Sequence, residues 1–168
     1  MQDQGGAMAR MLGVAMAGFT ALAGAGTDTR VTVPHPAPTV REIADATLRD
    51  VAVAVYDPTH PVIYYNPRLM EKFAPALRAF FLAHERAHIE LHHTRASALR
   101  AEPAHRDEVL RSKELEADCL AARRLGTKGR GTALAAVRYF ARLGRERFDS
   151  EHPTGQDRAA RILACMPE

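Results

Sequence analysis

Hydrophobic and polar positions change period several times along this chain, and each change marks an element. Val51-Ala52-Val53-Ala54-Val55-Tyr56 carries β-branched residues at alternate positions and reads as a strand. Asp57-Pro58-Thr59-His60-Pro61 is turn chemistry, and Val62-Ile63-Tyr64-Tyr65 follows as a second strand, so the pair predicts a hairpin. Upstream, Thr39 and Glu42 have the spacing of a capping box and predict a helix from Val40 to Arg49. Asn66-Pro67 is an N-cap followed by proline in the first turn, which opens a short helix to about Phe73. Pro75 opens a long helix expected to reach His93 or beyond, with Phe80 and Phe81 on its core side. Residues 94–105 are irregular, with Pro103 as a breaker. Further helices are predicted over Asp107–Leu125, closed by Gly126, and over Thr132–Leu143, closed by Gly144, with a loop from Lys128 to Gly131 between them. After a loop at Ser150–Pro153, a last helix runs to about Cys165.

The N-terminal pattern differs in kind. Arg10 precedes the apolar run Met11–Ala23, and the small residues Gly24, Ala25 and Gly26 follow it. That grammar predicts a secretory signal peptide over residues 1–25, the alternative being an uncleaved membrane anchor. Residues 26–38, with Pro34, Pro36 and Pro38, read as a linker, and residues 39–168 as a single domain. The expected location is periplasmic or secreted, with membrane contact only through an uncleaved N-terminal segment. In an exported protein Cys119 and Cys165 suggest one disulfide, against the alternative of two reduced thiols. The net charge of +3, from 23 basic and 20 acidic residues, is scattered and gives no case for nucleic acid as a partner.

The candidate chemistry lies on the long helix. His84-Glu85-Arg86-Ala87-His88 reads H-E-x-x-H, which puts both imidazoles on one helical face and Glu85 beside them to activate a water. A catalytic zinc takes a third protein ligand. His92 is a further turn from His84 and a poor candidate, and Leu91 and Thr94 stand where a metzincin has its glycine and third histidine. In Glu114-Leu115-Glu116-Ala117-Asp118, Glu114 and Asp118 share a helical face. Glu114 is expected to ligate and Asp118 to accept a hydrogen bond from a ligating imidazole, with Asp118 ligating in place of Glu114 as the alternative. His92 and His93 are expected at the surface.

H-E-x-x-H followed by E-x-x-A-D on a later helix resembles the gluzincin metallopeptidases, in particular the small bacterial neutral zinc metallopeptidases and the CAAX-prenyl-protease-like branch. His152-Pro153-Thr154-Gly155-Gln156-Asp157-Arg158 resembles the H-P-x-x-x-x-R segment of the second group and nominates His152 and Arg158 near the reacting carbonyl. Tyr64 and Tyr65 stand behind them as candidates. The resemblance implies an α+β, mainly helical zincin-like domain with a small sheet against the active-site helix. It implies one Zn2+ per chain and zinc-dependent hydrolysis of a peptide or protein substrate, with Glu85 as general base. The hairpin edge is a possible site for an extended peptide. Two other classes stand beside this enzyme: a non-catalytic zinc-stabilised binding module and a helical structural protein with accidental histidines.

Overall fold

The computed structural model describes residues 39–93, 100–127 and 129–168. The expected signal peptide, the linker, part of the irregular stretch and Lys128 of the expected loop lie outside the described residues. In chain order the elements are strands β1 (Arg41–Ala44), β2 (Ala52–Val55) and β3 (Val62–Tyr65), then helices α1 (Pro67–Met70) and α2 (Pro75–Glu90). A short 3-10 turn (Pro103–His105) leads into α3 (Arg106–Gly126), α4 (Gly131–Leu143) and α5 (Gly155–Cys165). The architecture is the expected α+β: five helices and one small sheet among the described residues.

The strands form one sheet in the order β1-β3-β2, with β2 antiparallel and β1 parallel to the central β3. The predicted hairpin is therefore present. The predicted helix over Val40–Arg49 is not, because its first half is β1. A capping box contributes on the order of 1 kcal/mol, and ten residues make a marginal helix alone. Pairing with the open edge of β3 outweighs it, beginning with Arg41 N–H donating to Pro61 O at 3.1 Å. Glu42, the would-be cap, instead reaches Arg86 on α2 at 2.6 Å. An Asx turn then ends the strand, Asp45 Oδ1 accepting from Thr47 N–H at 2.8 Å.

α1 begins as its sequence dictates, with the Asn66 side chain accepting from the Arg68 and Leu69 N–H groups. On α2 the buried positions recur at helical spacing: Leu77, Phe80, Phe81, His84, Glu85, Ala87, His88 and Ile89. The stripe that buries Phe80 thus continues through His84 and His88. α2 ends at Glu90, short of His93, because His92 takes a left-handed φ of 53°. Ala117, Ala121 and Ala122 line the buried side of α3, which packs against α2. Their short side chains let the two backbones approach. Phe140 of α4 lies edge-on to Phe80, with ring centroids 6.3 Å apart. α5 closes the core through Ile162 and Cys165, and Cys119 and Cys165 form a disulfide between α3 and α5.

Two glycines end differently from each other. Gly144 has the left-handed φ of 58° expected of a helix stop. Gly126 does not cap α3 but lies inside it, where a Cβ would meet Pro167 Cδ at 2.4 Å. Its smallness serves a close approach of the C-terminus. Gly155 is equally constrained, since a Cβ there would stand 2.4 Å from Phe140 O and 2.6 Å from Leu143 Cβ. Gly155→Ala should therefore push α5 off α4. The expected loss is about 1–3 kcal/mol in urea unfolding, and an unchanged midpoint would show that the helices yield freely there.

Candidate metal centre

Side chains on facing stripes of α2 and α3 meet in the interior. His84 Nδ1 lies 2.9 Å from Asp118 Oδ1, and its Nε2 lies 3.1 Å from Glu114 Oε2. His88 Nε2 lies 3.2 Å from Glu114 Oε1 and 2.9 Å from His84 Nε2. One ligand atom from each of His84, His88 and Glu114 falls within 4.8 Å of the others, so the three could hold a metal ion. All three are buried.

The donor count favours a cation there. A neutral imidazole has one N–H. On His84 that proton belongs to Nδ1, facing Asp118, which leaves the Nε2 lone pair turned toward a carboxylate and a second imidazole. Acceptors converge with nothing between them unless a proton or a metal ion intervenes. Two imidazole nitrogens and a carboxylate are also a donor set that zinc takes in hydrolytic sites. The residues therefore fit a metal ion of that kind.

Without metal, charge settles as follows. Burial alone would lower the His84 imidazolium, but Asp118 and Glu114 outweigh it and raise its pKa to about 9. Burial likewise opposes the charge on Glu114, and the neighbouring His88 and His84 hold it well below the usual carboxylate range. His88 is lowered by burial. For Glu85 burial wins, lifting its pKa to about 8 against the pull of His84. Glu85 is 1% exposed, and its Oε1 has no hydrogen-bond partner among the described residues. Its carboxylate also accepts a hydrogen bond from the Ala54 backbone N–H. Val51 O accepts from Asn66 N–H, so in this antiparallel ladder Ala54 directs its N–H away from β3, off the free edge of β2.

Asp118 is held from behind. Arg158 Nε donates to its Oδ2 at 2.7 Å and Nη2 to its Oδ1 at 2.6 Å. Arg158 is fully buried and stacks over Phe140, 4.1 Å from the ring centroid. Against the burial that would raise it, this guanidinium keeps the Asp118 carboxyl below its ordinary range. His152, in the loop before α5, is buried with Nδ1 2.7 Å from Asp149 Oδ1. Tyr64 and Tyr65 lie on the central strand, and neither hydrogen-bonds the cluster among the described residues.

The peptidase M78 family, described as an IrrE N-terminal-like domain, matches residues 40–125. The chain belongs to this family. No curated protein and no solved structure matches it. The match spans the sheet, α2 and nearly all of α3, with His84, Glu85, His88, Glu114 and Asp118 inside it. His152, Arg158 and Cys165 fall beyond its end.

One residue departs from its expected place. His93 is not at the surface but 6% exposed, its Nδ1 lying 3.2 Å from His88 Nδ1 and its Nε2 3.2 Å from Glu116 Oε2. His92 does lie in an exposed setting, its Nδ1 2.9 Å from Tyr56 Oη. Helical extrapolation puts His93 more than a turn beyond His88, so nothing in the spacing signals the contact. Only the run His92-His93 after a helix, where a chain reversal is possible, points that way.

Asp118 is the neutralising partner of a buried guanidinium, so Asp118→Asn leaves Arg158 uncompensated. Urea unfolding of the metal-free variant should show a loss of about 3–5 kcal/mol. A loss no larger than that of a surface substitution would remove this pair from the supports of the core.

Proposed function

We propose that this protein is a zinc-dependent endopeptidase of the gluzincin type, with His84, His88 and Glu114 as ligands and Glu85 as general base. The observation that carries the proposal is the convergence of three lone-pair atoms on one buried point with an acid of raised pKa beside them. Membership of a peptidase family supports it.

When bound, zinc supplies Lewis acidity toward the scissile carbonyl and acidifies the attacking water. Glu85 takes the proton of that water and delivers it to the leaving amine. Asp118 fixes the His84 ring by accepting from Nδ1, and Arg158 fixes Asp118. Arg158 holds Asp118 through Nε and Nη2 and keeps Nη1 without a partner among the described residues, so it stays with His152 as a candidate for contact with the developing oxyanion. The H-P-x-x-x-x-R likeness to the CAAX branch rests on His152, Pro153 and Arg158 alone.

The substrate is an extended peptide added to the free edge of β2. There it competes with the Glu85 carboxylate for Ala54 N–H, and that competition frees the base as substrate arrives. The Cys119–Cys165 disulfide supports an oxidising location, in keeping with the exported protein expected from residues 1–25.

A second reading, the non-catalytic metal-stabilised binding module, draws on the near-complete burial of Glu85. One pair of variants separates the two. Zinc content by elemental analysis should fall in Glu114→Ala and stay at the parent level in Glu85→Gln. Cleavage of a peptide library should be lost in both, by about a hundredfold or more in Glu85→Gln, the loss expected of removing a general base. Unchanged cleavage by Glu85→Gln would end the catalytic reading, and equal zinc in parent and Glu114→Ala would end the ligand assignment.

A further inference from the structure

The two ligand histidines differ in what stands behind them. His84 gives its Nδ1 proton to Asp118, which sets the ring so that Nε2 faces the site. His88 also turns Nε2 to the site, and the group behind its Nδ1 is an imidazole. We propose that His93 is a positioning residue for the metal centre, receiving the Nδ1 proton of His88 and passing its own Nε2 proton to Glu116. The proposal rests on the metal-site reading above and adds a second support to it.

The proton positions follow from the geometry. For His88 to offer a lone pair at Nε2 its proton must sit on Nδ1. His93 Nδ1, 3.2 Å away, is then the acceptor, which places the proton of His93 on Nε2. Glu116 Oε2, 3.2 Å from that nitrogen, accepts it. Each donor meets one acceptor, and the chain ends on the half-exposed Glu116 carboxylate. The two rings meet at an interplanar angle of 67°, with centroids 5.2 Å apart.

The backbone is bent to make this contact. His92 N–H donates to Ile89 O at 3.1 Å and His93 N–H to His88 O at 2.9 Å, the paired bonds of a Schellman helix stop. That motif needs a left-handed residue and usually takes glycine. Here His92 takes it, at φ 53°, with its ring held by Tyr56. A histidine in a glycine position, clamped from the sheet, turns the chain so that the next side chain comes back over His88. Local strain of this kind persists where the surroundings over-determine it.

The test measures zinc affinity of the full chain by chelator competition, together with the visible spectrum of the Co(II) form. His93→Leu should weaken zinc binding about ten- to a hundredfold and alter the cobalt spectrum. His93→Asn puts an amide oxygen near the place of Nδ1 and should retain most of the affinity. Glu116→Gln, at a half-exposed side chain, should show a loss smaller than that of His93→Leu, and it decides the matter if His93→Leu does not fold. Parent-like affinity in both His93→Leu and Glu116→Gln overturns the relay while leaving the metal site intact. Equal losses in His93→Leu and His93→Asn assign His93 to packing and overturn it too. A parent chain that holds no zinc overturns the metal reading itself, and the relay with it.

Discussion

Everything near the site depends on one constraint: charged groups buried together must sum to nearly zero. His84, Glu85, Glu114, Asp118 and Arg158 are all in the interior, where an isolated charge costs several kcal/mol. Both His84 and Glu85 are shifted upward, toward a protonated imidazole and a neutral acid, and in those forms two cations face two anions. A divalent ion taken up in exchange for those two protons leaves the sum unchanged. The donor set could hold a metal ion, and the charge balance is compatible with one.

That constraint explains why the centre was so readable. His84 and His88 continue the core stripe begun by Phe80, and Glu114 and Asp118 share the buried face of α3 with Ala117, Ala121 and Ala122. Polar residues at helical spacing on an otherwise apolar stripe have to meet partners, and helical periodicity tells which ones share a face. The helices and the hairpin were legible for the same reason, since each combines a clean period with a cap or turn at its end.

What was not legible required contacts between distant residues. β1 looked like a capped helix because the T-x-x-E signal is local, whereas the edge of β3 that captured it lies twenty residues on. His93 escaped because a helical projection fails once the chain reverses at His92. Gly126 looked like a cap, and its real constraint comes from Pro167 at the far end of the chain. The contact of Arg158 with Asp118 crosses a sequence distance that no local pattern spans.

Arg158 also shows how α5 contributes to a centre whose named ligands all lie on α2 and α3. It holds Asp118 through two hydrogen bonds, while Cys165, two turns further along the same helix, is joined covalently to Cys119, the residue after Asp118. An ion pair and a disulfide thus fasten α5 to one point on α3. The disulfide fixes the position of α5 along α3, and that position delivers the guanidinium to Asp118 rather than one turn away. Since Asp118 lies within hydrogen-bond distance of the His84 ring, the placement of a nitrogen in the candidate metal cluster traces back to a helix that carries none of its three residues.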